Sequence, residues 1–170
     1  DVYVIGSPEL DLHLKDSGVS IEKVKKRYEI NSSEYGICIF HPVTSETKNI
    51  KYQAEKLFEA LSISQKYFVV ILPNNDPGCD DIKYIIQSLD KKFFRILPSM
   101  RFNYFSELMK NCGIFVGNSS AGVREAPFLG IPSIDVGSRQ NNRSKSKSIF
   151  QCLPDETLLI NNIIRDNWYK

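Results

Sequence analysis

Short, unbroken apolar runs recur along this chain, and a helical pattern separates most of them from the next. The clearest runs are 35–40 (YGICIF), 67–72 (YFVVIL), 93–97 (FFRIL), 113–117 (GIFVG) and 132–137 (PSIDVG). Runs without polar alternation are typical of strands that are buried on both faces of a parallel sheet. Strands that alternate with helices form βαβ units. The sequence therefore predicts an α/β fold, with a Rossmann-like parallel sheet and helices on both faces.

Segments outside these runs complete the prediction. The run 2–5 (VYVI) predicts another short strand, and residues 155–166 predict a final helix with Asp155 as its N-cap. The basic segment 141–148 (NNRSKSKS) is either a solvated loop or a loop that orders over a ligand. Because the chain opens without methionine in a strand-like run, we expect residues 1–170 to be a piece of a longer protein.

Composition narrows the classes of partner. Hydrophobic residues make up 42% of the 170 positions, which is enough for a buried core. The net charge of +2 gives no general attraction to nucleic acid or to a membrane surface, and no apolar run approaches the roughly 20 residues that span a bilayer. The four cysteines are scattered and indicate reduced thiols in a cytoplasmic protein: Cys38, Cys79, Cys112 and Cys152.

Polar side chains follow four of the predicted strands. His41 follows the first long run and Asn74 follows the second, while Asn118 and Arg139 follow the last two. The carboxyl ends of parallel strands lie along one edge of a sheet, and ligands of such sheets bind there. We therefore expect these residues to line one site.

The segment 117–122 (GNSSAG) lies where a strand passes into a helix. A helix amino terminus has free N–H groups and a partial positive charge that favour phosphate, and the hydroxyls of Ser119 and Ser120 add donors. Gly117 and Gly122 would allow the backbone to approach a ligand closely. A plain N-cap explains the same residues equally well. The segment matches neither the P-loop nor the GxGxxG fingerprint, which argues against an ATPase or an NAD enzyme.

Each ionisable candidate has two explanations at this level. Glu125 could accept hydrogen bonds from a ribose diol or form an ion pair with a neighbour. His41 could donate to a phosphate or move a proton, or it could be structural. Arg139 and Arg143 could clamp a phosphate or belong to a generic basic loop. His13 lacks such a context and is assigned to the surface or to a helix.

Longer motifs point to one family. The segments 40–44 (FHPVT), 72–78 (LPNNDPG) and 117–143 (GNSSAGVREAPFLGIPSIDVGSRQNNR) resemble the hydrolysing UDP-N-acetylglucosamine 2-epimerases, and 4–11 (VIGSPELD) resembles the start of their second domain. The resemblance covers nearly the whole chain. It implies the second half of a GT-B architecture, in which two Rossmann-like domains hold a sugar nucleotide between them. This chain would be the UDP-binding half.

The resemblance also implies contacts for individual residues. Ser119 and Ser120 would contact the diphosphate of UDP, and Arg139 would contact a phosphate. Glu125 would hold the ribose, and Asn74 would approach the nucleotide.

Other implied roles concern catalysis and the base. His41 would lie near the diphosphate and the sugar and assist catalysis, and the uracil would pack against the stretch 95–102. Asn118, Gly122 and Arg143 are further candidates for contact with the nucleotide.

The family's reaction removes UDP by elimination across C1–C2 of the sugar. Water then adds with inversion at C2, and N-acetylmannosamine is released for sialic acid biosynthesis. The carboxylates that move the C2 proton belong chiefly to the first domain, so this chain alone is expected to be inactive.

No acidic metal cluster is visible in the sequence, so we expect neither a metal nor a cofactor. The implied partners are a UDP-sugar, the first domain, and further copies of the longer protein in a homo-oligomer. The alternatives are an epimerase of UDP-diacetylbacillosamine on the legionaminic acid route, a GT-B glycosyltransferase, and a non-catalytic module that binds nucleotide-sugars.

Overall fold

The computed structural model describes residues 1–3 and 5–168, and a six-stranded sheet forms its centre. The strands are β1 Gly36–Ile39, β2 Phe68–Ile71, β3 Phe94–Leu97, β4 Phe115–Gly117, β5 Ser133–Val136 and β6 Ile149–Cys152. They lie in the order β3-β2-β1-β4-β5-β6, and each neighbouring pair is parallel. This topology confirms the predicted Rossmann-like α/β fold.

Helices cover both faces of the sheet. In chain order they are α1 Asp11–Leu14, α2 Ile21–Tyr28, α3 Ile50–Ile63, α4 Cys79–Gln87, α5 Phe102–Lys110, α6 Ser120–Val123, α7 Glu125–Phe128 and α8 Thr157–Asn167. Helices α3, α4 and α8 share one core with the sheet, through residues such as Leu57, Ile82 and Ile160. Helices α2, α5, α6 and α7 share the core on the opposite face. Within the described residues, no helix has the length and apolarity that crossing a membrane requires.

Burial of the strands follows their place in the sheet. Strands β1, β2, β4 and β5 are buried along their whole length, because a helix layer covers each face. Strand β6 is only partly buried and lies at the sheet edge beside β5. The sequence predicts no strand there, since the run 149–152 is short and Gln151 interrupts it.

Two predictions about the ends of the chain are wrong. Val2, Tyr3 and Ile5 lie outside any strand and are exposed, and Val4 lies outside the described residues. The last helix begins at Thr157, and its N-cap position is occupied by Glu156 without a side-chain cap, so Asp155 does not cap it.

The strand order creates a crevice at one point of the sheet. From β1 the chain proceeds outward to β2 and β3, and it then returns to place β4 on the other side of β1. Connections on the two sides of such a switch point diverge, which leaves room for a ligand beyond the carboxyl ends of the strands. His41 and Asn118 lie just beyond the ends of β1 and β4, at this crevice.

Candidate functional site

A cleft of about 430 Å³ opens beyond the carboxyl ends of β1 to β4. Five of the residues that the sequence assigns to the site line it together, although they come from three segments that follow β1, β2 and β4: His41, Asn74, Ser119, Ser120 and Glu125. Convergence of this kind is what the parallel topology predicts for residues that follow neighbouring strands.

Part of the cleft lining is apolar. It contains the strand-end residues Ile39 and Ile71 together with Met100 and Phe105. Pro98 and Ser99, from the stretch 95–102 to which the resemblance assigns the uracil, also line the cleft. The cleft lining therefore combines apolar side chains suited to a flat base with polar groups suited to anionic or hydroxyl groups.

His41 is held in one orientation by its neighbours. Its Nδ1 accepts a hydrogen bond from the backbone N–H of Asn74 at 3.2 Å, so the proton of the neutral ring resides on Nε2. Burial lowers the pKa of His41, the nearby Arg139 guanidinium lowers it further, and Asn74 and Asp76 oppose this in part. The imidazole is therefore neutral at pH 7 and presents an Nε2–H donor.

Asn118 positions His41 through the backbone. Its side-chain Oδ1 accepts from the N–H of His41 at 2.7 Å, and its Nδ2 donates to the carbonyl of His41 at 2.8 Å. The side chain is buried and is absent from the cleft lining. The amide predicted to contact the nucleotide is thus committed to joining the ends of β1 and β4.

Ser119 and Ser120 begin a helix of a single turn. Ser119 is its N-cap and accepts from the backbone N–H of Ala121 at 3.4 Å, so the plain capping explanation holds for that hydroxyl. The backbone N–H groups of Ser119 and Ser120 have no acceptor among the residues that the structure describes. These donors, together with the Ser120 hydroxyl, are available to an anion in the cleft.

Gly117 and Gly122 serve the packing of the chain itself. A Cβ at Gly117, where φ is +133°, would stand 2.0 Å from the backbone oxygen of Ile39. A Cβ at Gly122 would stand 2.7 Å from the ring of Phe115 and 3.0 Å from the hydroxyl of Ser133. Both glycines therefore allow close contact with the sheet, and contact of either with a ligand stays a prediction.

Glu125 is paired with a residue that the sequence gives no reason to connect with it. Its Oε2 lies 2.7 Å from Nε2 of His13, whose side chain is fully buried. The neighbouring Arg124 instead pairs with Glu9 and donates to the hydroxyl of Ser7 at 3.0 Å. His13 is thus a buried residue of α1, and no sequence pattern relates it to a partner 112 positions away.

The two predicted arginines differ in their surroundings. Arg139 is partly buried and donates from Nη1 to the backbone carbonyl of Asn118 at 3.2 Å, which places it beside the crevice. Arg143 is exposed and donates to the side chain of Gln140 at 3.2 Å. Neither arginine lines the cleft, so contact of either with a ligand there stays a prediction.

Asp135 is a buried acid that the sequence analysis misses. It lies in β5 with 1% exposure, and both carboxylate oxygens lack a hydrogen-bond partner among the described residues. Burial raises the pKa of Asp135 to about 6, and the approaching side chain of Gln151 opposes that rise without forming a bond of good geometry. Its position inside an apolar run conceals it from sequence patterns.

The cysteines take no part in the cleft. All four are unpaired and buried, as the sequence predicts for structural thiols. Burial raises the pKa of Cys112 to about 12 and that of Cys152 to about 11, so neither is a nucleophile at neutral pH.

A larger cavity of about 600 Å³ lies at the opposite end of the sheet, near the amino ends of β1, β2 and β3. Its lining includes Lys66, Lys91 and Lys92, and none of the predicted site residues reaches it. The smaller cleft is the stronger candidate, since ligands of parallel sheets bind at the carboxyl ends of the strands.

Comparison with known proteins identifies the family. A family model described as UDP-N-acetylglucosamine 2-epimerase matches residues 1–166. The chain belongs to this epimerase family. The match confirms the family that the motifs indicate.

Three relatives of this epimerase-family chain differ in the sugar or pathway that their names give. It is 45% identical over 149 residues to the UDP-N-acetylglucosamine 2-epimerase of Neisseria meningitidis serogroup B, which covers 88% of this chain and 40% of that protein. It is 29% identical over 152 residues to the UDP-N,N'-diacetylbacillosamine 2-epimerase (hydrolyzing) of Legionella pneumophila, with coverage of 88% and 40%. It is 29% identical over 170 residues to the polysialic acid biosynthesis protein P7 of Escherichia coli, with coverage of 95% and 42%. The chain thus spans about two fifths of the length of these relatives.

A solved structure shows the same fold. The UDP-GlcNAc 2-epimerase of Methanocaldococcus jannaschii superposes with a TM-score of 0.72 at 17% identity, over 99% of this epimerase-family chain and 49% of that one. At this identity the likeness concerns the fold, and it agrees with the Rossmann-like sheet described above.

Proposed function

We propose that this chain is the UDP-binding half of a hydrolysing UDP-N-acetylglucosamine 2-epimerase, which releases UDP and N-acetylmannosamine for sialic acid biosynthesis. The observation that carries the proposal is the convergence of His41, Asn74, Ser119, Ser120 and Glu125 on one cleft at the switch point of the sheet. The lining of that cleft includes both free donors and apolar side chains, which suits the polar and flat parts of a nucleoside diphosphate.

The cleft suggests how UDP would lie. The uracil would pack against Ile71, Met100 and Phe105, with Pro98 and Ser99 beside it. The backbone amides and hydroxyl at Ser120 would donate to the diphosphate, and Glu125 would accept from the ribose. Arg139 would reach the phosphates after exchanging its contact with the carbonyl of Asn118 for a charge-assisted bond.

The same donors would support loss of UDP from the sugar. Elimination across C1–C2 leaves developing negative charge on the leaving diphosphate, and preorganised donors stabilise that charge. His41 would donate from Nε2–H, since its Nδ1 is engaged by Asn74. The neutral ring would donate this hydrogen bond to the departing diphosphate without giving up its proton, because Nδ1 already accepts from Asn74 and loss of the Nε2 proton would leave an imidazolate.

Removal of the C2 proton needs a base on the sugar side. Among the described residues, Glu125 is the one carboxylate that lines the cleft, and it is held by His13. We therefore assign the proton-transferring carboxylates to the other domain of a longer protein, the first in chain order. We expect this chain alone to bind UDP without epimerising the sugar. The four unpaired cysteines favour a reducing, cytoplasmic location for that protein.

The identity of the sugar has one specific alternative. The relative from Legionella pneumophila, 29% identical, is named for UDP-N,N'-diacetylbacillosamine. The chain is more similar, at 45% identity, to the relative named for UDP-N-acetylglucosamine, and this favours UDP-N-acetylglucosamine as the substrate. An epimerase of diacetylbacillosamine for the legionaminic acid route is thus the second candidate.

A product assay tests the proposal. The longer protein that carries this chain would be supplied with UDP-N-acetylglucosamine in deuterated water, and the sugar products would be followed by NMR. Free N-acetylmannosamine with deuterium at C2, released together with UDP, is the expected result. Accumulation of a UDP-linked epimer, or transfer of the sugar to an acceptor, would overturn the hydrolysing assignment, and preference for the diacetylbacillosamine substrate would overturn the choice of sugar.

A further inference from the structure

His13 joins three separate elements of the fold through its two ring nitrogens. It lies in α1, and its side chain is fully buried. Nε2 lies 2.7 Å from Oε2 of Glu125 at the start of α7, and Nδ1 lies 2.9 Å from the hydroxyl of Ser106 in α5. The ring also meets Phe102 edge-on, with centroids 5.0 Å apart. The imidazole is therefore fixed in position and orientation.

The partners fix the role of each nitrogen. An ionised carboxylate can only accept hydrogen bonds. Nε2 of His13 therefore carries a proton and donates a hydrogen bond to Glu125. The hydroxyl of Ser106 can complete the ring by donating to Nδ1. One carboxylate oxygen of Glu125 is thus engaged from the protein side. The other, Oε1, has no partner among the described residues, and Glu125 lines the cleft.

A second tether supports the same arrangement. Arg124 precedes Glu125 at the break between α6 and α7, and its guanidinium pairs with Glu9 and donates to Ser7 at 3.0 Å. Glu125, which lines the cleft, and the preceding Arg124 thus both contact the segment 7–14, which contains Ser7, Glu9 and His13. This segment is bound to the cleft wall through polar side chains, and a buried histidine supplies the contact nearest to the cleft.

We propose that His13 is a positioning residue that presents Oε1 of Glu125 to the ribose hydroxyls of the nucleotide, and that it thereby sets the preference for a ribonucleotide. The proposal rests on the UDP-binding function proposed above. A carboxylate with one oxygen held and the other free has a single orientation toward a diol, which lowers the cost of ordering it on binding. Without His13 the carboxylate would keep its charge and lose its fixed direction.

Two substitutions separate positioning from packing. In His13→Gln the side-chain amide can place a donor near the position of Nε2, whereas in His13→Asn it reaches only the position of Nδ1, toward Ser106. Both replace a buried ring by a smaller amide, so a purely structural role of His13 predicts similar behaviour. The positioning role predicts that the glutamine variant alone retains the contact with Glu125.

The experiment compares the affinities of UDP and of its 2′-deoxy and 3′-deoxy analogues for the chain and these variants. The original chain should prefer UDP over at least one deoxy analogue by about 10- to 100-fold, the range expected for a hydrogen bond to a charged group. His13→Gln should keep most of that preference. His13→Asn and Glu125→Gln should reduce the preference for UDP to about threefold or less, because most of the free energy of that hydrogen bond is lost. Thermal melting of each variant establishes that it is folded.

The failures are distinguishable. Absence of UDP binding by the original chain would overturn the proposed function and this inference with it. UDP binding without discrimination against either deoxy analogue, or equal preference in the glutamine and asparagine variants, would overturn the role of His13 and leave UDP binding intact. Nitrogen-15 NMR of the imidazole in the free chain gives a readout that needs no variant to fold: Nε2 protonation is expected, and a neutral ring protonated at Nδ1 would overturn the proposal.

Discussion

Asn74 donates its backbone N–H to Nδ1 of His41 at 3.2 Å, and this contact determines which nitrogen of the imidazole remains available to a ligand. The two residues follow different strands, β1 and β2, and meet because those strands are parallel neighbours. A histidine fixed in this way at a strand end acts as a directed donor.

Replacement of His41 should affect turnover more than nucleotide affinity. His41→Ala in the longer protein removes the donor to the leaving group, and loss of one preorganised donor to developing charge typically lowers turnover by about 10²- to 10³-fold. UDP affinity should fall by less than about tenfold, the equivalent of one ordinary hydrogen bond. Steady-state kinetics and a UDP titration measure the two effects, with Asn75→Ala as a control at an exposed neighbouring position. Equal losses of turnover and affinity would restrict His41 to binding.

Arg139 should influence the titration of His41. Burial is the main cause of the lowered pKa of His41, and the positive charge of Arg139 is the second. Arg139→Gln should therefore raise that pKa, while Arg143→Gln, at an exposed position, should leave it unchanged. Chemical shifts of the imidazole followed against pH give both values. An unchanged titration midpoint of His41 in Arg139→Gln would show that the charge of Arg139 does not act on the imidazole.

The buried carboxyl of Asp135 should make stability depend on pH. The folded chain holds the Asp135 proton more tightly than the unfolded chain does, because the pKa rises from 3.8 to about 6. The free energy of unfolding should therefore fall as pH rises through this window. Above it, the destabilisation caused by the ionised, buried carboxylate is fully present. A shift of about 2 units corresponds to at most about 3 kcal/mol.

Asp135→Asn removes this titration and should stabilise the chain at pH 7 by up to about 3 kcal/mol, with a difference near zero at pH 4. Urea unfolding of the original chain and the variant at several pH values measures the difference, in which the other titrating groups cancel. Asp155→Asn, at an exposed carboxyl, is the matched control. A difference between Asp135→Asn and the original chain that does not vary with pH would contradict the assignment.

Asn118 should matter for stability as well as for the site. Asn118→Ala leaves the N–H and carbonyl of His41 without their partners at 2.7 and 2.8 Å. Loss of these bonds should cost about 1–3 kcal/mol in the free energy of unfolding. Asn141→Ala, at an exposed position, should change it by less than about 0.5 kcal/mol. Comparable stability of the two variants would show that the amide of Asn118 does not join β1 to β4.

The sequence predicts the central strands well because their burial demands apolar runs. Strands β1, β2, β4 and β5 need apolar side chains on both faces, and such runs are visible without further information. The same logic misplaces the ends of the chain. The apolar residues Val2, Tyr3 and Ile5 find no strand to pair with, and the edge strand β6 needs no continuous apolar run.

The candidate site is predictable where residues follow strands directly. His41, Asn74, Ser119 and Ser120 occupy strand ends, so the topology alone brings them to one cleft. The partnership of His13 with Glu125 depends on how a short helix docks on α5 and α7, and no periodic pattern encodes that docking. Side-chain direction is equally hidden, which is why the amide of Asn118 was expected in the cleft.

The most direct test of UDP binding by this cleft is a calorimetric titration of the chain with UDP. NAD is the control ligand, and Ser120→Ala is the variant in which a donor to the diphosphate is removed. We predict UDP binding in the micromolar to millimolar range, no binding of NAD, and a loss of about 1–3 kcal/mol of UDP binding free energy in Ser120→Ala. The absence of UDP binding, or an affinity that is the same in the original chain and in Ser120→Ala, would contradict the assignment of this cleft.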